Sequence, residues 1–197
     1  MERHLYKLVV YVTVAILTVT VFMQYENFTN EVTYMSSTVD GKRYLVRNMH
    51  DKQEAANLLA GVRKRCVSLV KYVVQKYPEN DAVERLHRKF RPDNITESSK
   101  TSKYTSYSVN KGEKIVFCMR SRDEHERLVD PNVLMFVALH ELAHIMTKSI
   151  GHTEEFWDNF RFLLTQGIEV GVYVKQDFRK KPVKYCGTEI TDTPLNN

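Results

Sequence analysis

The 197-residue chain is poor in the residues that dominate disulfide-rich or loop-rich proteins, with three cysteines, seven glycines and five prolines. Cys66, Cys118 and Cys186 are too few and too scattered for a disulfide scaffold or a cysteine-type zinc site. The hydrophobic and charged fractions, 43% and 27%, are ordinary for a folded protein and argue against disorder throughout. This length and composition favour one compact domain with short appendages.

Charge is absent from residues 8–25, and residues 8–23 are strongly apolar. A helix of this length spans about 27 Å, close to the hydrocarbon thickness of a thin bilayer. A cleavable signal peptide needs small residues before its cleavage site, and residues 22–25 offer none. The run is also not amphipathic, which argues against a core helix. We therefore predict a membrane anchor.

Basic residues flank this anchor unequally. Arg3 and Lys7 precede it, whereas no lysine or arginine follows it until Lys42. The positive-inside tendency then places the N-terminus in the cytosol and the rest of the chain on the opposite side of the membrane. The predicted single-pass protein consists of a short tail (1–7), a transmembrane anchor (8–25), a polar stalk (26–48) and a folded domain (49–197).

Hydrophobic periodicity predicts a mixed α+β domain. Apolar residues recur at helical spacing in three segments, and two segments alternate at strand spacing around a turn that contains Gly112. The predicted elements are helices over about 51–76, 82–90 and 153–165, a hairpin of strands 104–109 and 114–119, a short strand at 43–47 and a last strand at 168–174.

The central motif is His140-Glu141-Leu142-Ala143-His144, within an apolar segment that predicts a buried helix. Positions four residues apart lie on the same helix face, so two imidazoles placed this way can bind one metal ion. The glutamate after the first histidine points towards the open coordination position, where it can take a proton from water. This is the H-E-x-x-H arrangement of two zinc ligands and a general base.

A catalytic zinc site needs a third protein ligand. Gly151 suits a left-handed residue after a helix, and the turn it permits would bring His152 to the metal. Glu169, further along the chain, is the alternative third ligand. Glu154 and Glu155 fit better as the acidic first turn of the next helix. We predict Zn²⁺ held by His140, His144 and His152, with Glu141 as the catalytic base.

Two side chains near the C-terminus have competing roles. Cys186 either pairs with Cys118 in an oxidising compartment or binds the zinc as an inhibitory fourth ligand, since thiolate is a good zinc ligand. Tyr185 is a candidate for stabilising the oxyanion of a reacting carbonyl. Cys66 fits the buried face of its helix.

The motif, a short spacer and the run Gly-His-Thr-Glu-Glu-Phe-Trp at 151–157 resemble the active-site segment of WLM-type and SprT-like minimal zinc metallopeptidases. The resemblance implies a zincin-like domain with the three histidines as ligands and Glu141 as base. It also implies that Phe156 and Trp157 pack under the site. With its N-terminal apolar segment and its tail at 182–190, the chain is similar to WLM-domain proteins of large DNA viruses.

The same resemblance bears on partners. In those peptidases a strand before the active-site helix borders the cleft, so strand 114–119 is placed to pair with an extended polypeptide substrate. On sequence grounds an ordinary hairpin that only supports the helix is an equal alternative. Residues 175–184 carry four lysines and one arginine, and SprT-like relatives act on protein crosslinked to DNA. Nucleic-acid binding is nevertheless the weaker interpretation, because this cluster is short and lacks interleaved aromatics.

The sequence therefore predicts a membrane-anchored, zinc-dependent metallopeptidase. The first alternative is a non-catalytic structural or virion assembly protein that keeps the fold. The second, weaker alternative is a DNA-associated repair protease, for which residues 179–184 would supply a basic contact.

Overall fold

The computed structural model describes residues 2–196, with side-chain surroundings for residues 3–25 and 31–196. Helices and small sheets alternate along the chain, so the predicted α+β class is confirmed. The elements are α1 (Glu2–Glu31), β1 (Val32–Ser36), β2 (Arg43–Arg47), α2 (Lys52–Lys76), α3 (Asp81–Lys89), β3 (Ile95–Glu97), β4 (Ser106–Val109), β5 (Lys114–Phe117), α4 (Pro131–Met146), α5 (Glu154–Glu169), β6 (Val183–Tyr185), β7 (Thr188–Ile190) and a final 3₁₀ turn (Pro194–Asn196).

Helix α4 is the centre of the domain. It packs against α2, α3, α5 and β4, and it can do so because it is apolar on nearly every side. The Asp130 carboxylate accepts hydrogen bonds from the backbone N–H groups of Asn132 and Val133, and Pro131 occupies the first turn. This is the helix start that the sequence predicts.

The main sheet has the strand order β3-β5-β4. Strand β5 is parallel to β3 and antiparallel to β4, so both of its edges are occupied. The expectation that strand 114–119 pairs with a substrate is therefore wrong, and β4 is the outer strand. The local sequence pattern is enough to predict the β4–β5 hairpin. It does not show which of the two strands lies at the edge of the sheet, because that depends on where a distant third strand, β3, pairs.

Helix α1 contains a segment, Arg3–Tyr25, with a mean hydropathy of 2.1 and no buried residues. It is long and apolar enough to cross a membrane, and a signal sequence would satisfy the same criterion. The threonine hydroxyls inside it are satisfied locally. Thr13 donates to the Val9 carbonyl and Thr18 to the Val14 carbonyl, as hydroxyls in apolar helices commonly do.

The polar stalk predicted at 26–48 is wrong in its second part. Strands β1 and β2 pair in antiparallel register from Val32↔Arg47 to Ser36↔Arg43 and pack against α2. Tyr44 and Val46 are buried, which confirms the short strand at 43–47. The error arose because β1 contains no fully buried residue, so its sequence has no clear core-facing pattern that would predict a strand.

The strand predicted at 168–174 is also wrong. Helix α5 continues to Glu169, and the backbone N–H groups of Val172 and Tyr173 both bond to the Gly167 carbonyl. Val172 and Tyr173 are adjacent and both buried, a pattern that a strand with alternating faces does not produce. Gly171, with φ of 74°, makes the turn that ends the helix.

Cys118 and Cys186 form a disulfide with Cα atoms 6.2 Å apart, while Cys66 is a buried free thiol. The pairing alternative is therefore confirmed, and the inhibitory zinc ligand is wrong. The bridge ties the end of β5 to the turn of the β6–β7 hairpin, 68 residues away in sequence. Because it closes a long loop, it restricts the unfolded chain strongly.

We expect the double substitution Cys118→Ala/Cys186→Ala to lower the free energy of unfolding by about 4 kcal/mol. Chemical denaturation of the full-length chain in detergent micelles measures this change. A dithiol reductant should cause a similar loss in the wild type and none in the double variant. Equal sensitivity of both proteins to the reductant would show that the bridge is not the source of stability.

Candidate metal centre

Three imidazoles converge at the surface of α4. His140 and His144 lie one turn apart on this helix, and their Nε2 atoms are 3.1 Å apart. His152 comes from the loop between α4 and α5, and its Nε2 atom lies 3.1 Å from that of His140. The ligand atoms of the three residues lie within 4.8 Å of one another. The structure thus brings together the three histidines that the sequence singles out.

This donor set fits zinc. Tetrahedral coordination with zinc–nitrogen bonds of about 2.0–2.1 Å places neighbouring nitrogens about 3.3–3.4 Å apart, close to the observed separations. Burial, reinforced by the neighbouring imidazoles, lowers the pKa of His140 to about 3. Burial likewise lowers the pKa of His144 to about 4. Both rings are therefore neutral near pH 7, the form in which imidazole binds a metal.

An aromatic layer supports the histidines from below. The ring of Phe156, on the first turn of α5, is stacked on His144 with centroids 4.3 Å apart and contacts His140 and His152 at 4.9 Å and 4.6 Å. Trp157 lies 5.7 Å from the ring of His152. The expected packing of both aromatics under the site is present. It restricts the orientation of each imidazole without using a hydrogen bond.

The other candidate ligands are engaged elsewhere. The Glu169 carboxylate pairs with Lys76 Nζ at 2.6 Å and accepts a hydrogen bond from Tyr72, so the Glu169 alternative is wrong. Glu155 accepts hydrogen bonds from the backbone of the α4–α5 loop. Glu154 is exposed in the first turn of α5, where Thr153 caps the helix as predicted.

Glu141 is buried on α4 and lines the same cleft as the histidines. Burial raises the pKa of its carboxyl group to about 7, while the backbone N–H of Ser108 on β4 opposes this rise by favouring the charged form. A carboxylate in such a position can accept a proton and later return it. The strand that approaches Glu141 is β4, whose contribution the sequence did not reveal.

The cleft has a volume of about 620 Å³ and is bordered by β4, α4, the α4–α5 loop and the C-terminal hairpin. Tyr185 is buried in its wall. Its hydroxyl donates to the Cys118 carbonyl at 2.7 Å and lies 2.8 Å from Ser106 Oγ. Because that single proton is already committed, the geometry gives no support to the oxyanion role predicted for Tyr185.

Sequence reasoning also missed Lys111, in the turn between β4 and β5. Its ammonium group contacts the α4–α5 loop and lines the cleft. The sequence offered only a weak signal for this residue, namely a lysine before a glycine in a tight turn. The contact between the β4–β5 turn and the α4–α5 loop is visible only in the folded structure.

The basic segment is partly neutralised by its own surroundings. Arg179 pairs with Asp192 at 2.7 Å, and Lys180 pairs with Asp177 at 3.4 Å. Both pairs are exposed, so they contribute little to stability, but they reduce the charge that this segment offers to a polyanion.

A buried H-E-x-x-H helix with a third histidine from the following loop defines a candidate metal centre of the zincin type. The chain belongs to the WLM family, because the model of the WLM domain matches residues 39–195. Members of this family are in general zinc metalloproteases.

The relatives include proteins of large DNA viruses, as the resemblance implied. The uncharacterized protein R325 of Acanthamoeba polyphaga mimivirus is 35% identical over 84% of this chain and 86% of its own length. The uncharacterized protein 042R of Invertebrate iridescent virus 3 is 44% identical over 41% of this chain and 48% of its own length. The crystal structure of Wss1 from Saccharomyces cerevisiae is 20% identical, with a TM-score of 0.48 over 62% of this chain and 84% of that one.

We expect the full-length chain in detergent micelles to bind one zinc ion. Loss of a residue that only orients a metal ligand lowers metal affinity by up to about 100-fold, so loss of a ligand itself in His152→Ala should lower it further. Competition with a chromophoric chelator measures both affinities. Glu169→Gln is the matched control and should bind zinc as the wild type does. Loss of zinc from Glu169→Gln, with full retention by His152→Ala, would reverse the assignment.

Proposed function

We propose that this protein is a membrane-anchored, zinc-dependent metallopeptidase that hydrolyses peptide bonds. The observation that carries the proposal is the convergence of three imidazole nitrogens beside Glu141 in an open cleft. His140, His144 and His152 would hold the ion. Zinc bound there would supply a Lewis acid for the scissile carbonyl and lower the pKa of a bound water molecule.

Glu141 is the general base in this proposal. It follows His140 directly on a rigid helix, and its carboxyl group faces the cleft beside the Ser108 amide. It takes a proton from the attacking water and delivers it to the nitrogen of the leaving amine, which restores its own charge. Helix burial keeps the carboxylate from turning away between the two steps.

Strand β4 is the proposed binding edge for an extended polypeptide. Residues 105–108 line the cleft opposite α4, and β5 occupies the other side of β4. A substrate added to the outer side of β4 would gain main-chain hydrogen bonds and lie directly over Glu141 and the histidines. Main-chain recognition of this kind tolerates many sequences, so the side-chain pockets would set specificity.

Two independent observations support the proposed topology. The charge bias around α1, with Arg3 and Lys7 on one side, favours a cytosolic N-terminus. The Cys118–Cys186 disulfide fits an oxidising compartment, which is the opposite side of the membrane. Both observations support a metal centre on the non-cytosolic side. With viral relatives, a host membrane derived from the endoplasmic reticulum or a virion membrane is the proposed location.

The test of catalysis is Glu141→Gln, which keeps the shape of the side chain and removes the base. We expect kcat for cleavage of a denatured protein to fall about 10²–10⁴-fold, the usual contribution of a general base, while zinc remains bound. The assay uses the full-length chain in detergent micelles, and Glu154→Gln, an exposed carboxylate on α5, is the matched control.

Three outcomes are informative. Loss of cleavage on chelation and its return with added zinc would support metal catalysis. Unchanged cleavage by Glu141→Gln would show that the reaction does not take place at this centre. A wild-type protein that binds zinc but cleaves no polypeptide would favour the non-catalytic assembly role instead.

A further inference from the structure

Lys111 makes an unusual contact with the loop that follows α4. Its Nζ atom donates to three consecutive backbone carbonyls, those of Thr147 at 2.8 Å, Lys148 at 2.6 Å and Ser149 at 2.8 Å. An ammonium group has three N–H donors, so all of them are used here. Thr147 is the C-cap residue of α4, and Lys148 and Ser149 follow it in the loop. Their carbonyl groups therefore have no partner within the helix, and the ammonium group supplies one.

The backbone of the turn is held in an uncommon conformation to make this contact. Asn110 and Lys111 have φ values of 47° and 50°, in the left-handed region that lysine rarely adopts. Gly112 follows with φ of 112°, and a Cβ atom there would lie 2.7 Å from the Lys89 carbonyl oxygen. The turn therefore packs directly against the end of α3. A strained residue persists only where its surroundings determine it, and such residues concentrate at functional sites.

The same loop is held from its other side by Glu155. The carboxylate accepts hydrogen bonds from the backbone N–H of Lys148 at 2.9 Å, from the N–H of Ser149 at 3.3 Å and from the Ser149 hydroxyl at 2.9 Å. Lys111 thus binds the carbonyl groups of the loop, and Glu155 binds its N–H groups. His152 follows within three residues, is exposed, and lies outside any helix or strand. Its position depends on how this loop is held.

We propose that Lys111 is a positioning residue for the third metal ligand: it holds residues 147–149 so that His152 faces His140 and His144. This inference rests on the proposed zinc site. Lys111 also connects the metal-binding loop with the proposed substrate-binding strand, because the turn that carries Lys111 directly follows β4.

The charge of Lys111 and its proposed positioning role predict opposite changes in zinc affinity when the side chain is removed, so the direction of the change tests the inference. Lys111 lines the same cleft as the three histidines, so its positive charge repels a bound dication. If the side chain acted only through its charge, removing it would strengthen zinc binding. If it positions His152, removing it weakens zinc binding.

The variant of choice is Lys111→Asn, because asparagine tolerates the left-handed backbone conformation but is too short to reach the three carbonyls. The matched control is Lys148→Asn, which removes an equal charge from the loop itself. Lys148 is exposed, and the contacts described above use its backbone rather than its ammonium group. Both variants are made in the full-length chain and studied in detergent micelles.

We expect Lys111→Asn to weaken zinc binding about tenfold or more, the usual effect of losing a residue that orients a ligand. Lys148→Asn should leave the affinity unchanged or slightly raise it. In the His152→Ala background, Lys111→Asn should cause no further loss, because its effect acts through that ligand. The visible spectrum of the Co²⁺-substituted protein should change in Lys111→Asn and not in Lys148→Asn.

Hydrogen–deuterium exchange of the metal-free protein tests the same inference without zinc. Exchange at residues 147–152 should be faster in Lys111→Asn than in the wild type, with no change in α4. If the wild type binds no zinc, the proposed function fails, and this measurement alone decides whether Lys111 holds the loop. Unchanged exchange, unchanged or tighter zinc binding, or an additive loss in the His152→Ala background would each overturn the inference.

Discussion

The burial of α4 is the constraint on which the rest of the structure depends. Most of its residues are buried and apolar, and polar groups inside such an environment are costly unless they find partners. His140 and His144 meet this requirement by facing the cleft as neutral rings, and Glu141 does so beside the Ser108 amide. The only polar face of the helix is therefore also the face on which chemistry can occur, and α2, α3 and α5 cover the remainder.

The opposite wall of the cleft is fixed by two links to one strand end. Cys186 is bonded to Cys118, and the hydroxyl of the neighbouring Tyr185 donates to the Cys118 carbonyl. A covalent bond and a buried hydrogen bond thus hold the C-terminal hairpin to the end of β5. Because β5 also pairs with β4, the strand that lines the cleft and the hairpin that borders it share one support.

Features that depend on nearby residues were predictable from the sequence, and features that depend on distant ones were not. The metal helix, its Asp130 cap and the α2 periodicity follow from local pattern, and so does the three-histidine grouping. The outer position of β4 and the β1–β2 hairpin depend on pairing partners elsewhere in the chain. The buried Arg120 guanidinium, which bonds Glu97 and Asp51 at 2.7 Å across 23 and 69 residues, could not be paired from sequence at all.

The two roles open to Cys186 exclude one another, and the disulfide decides between them. The residue follows Tyr185, which lines the cleft, and thiolate is a strong zinc ligand. A cysteine that is bonded to Cys118 has no thiolate to offer. The bridge therefore removes Cys186 from the candidate metal ligands and leaves the three histidines. The C-terminal hairpin thus contributes a wall of the cleft through Tyr185 and a covalent link to the end of β5 through Cys186, while the metal-binding set consists of the three histidines.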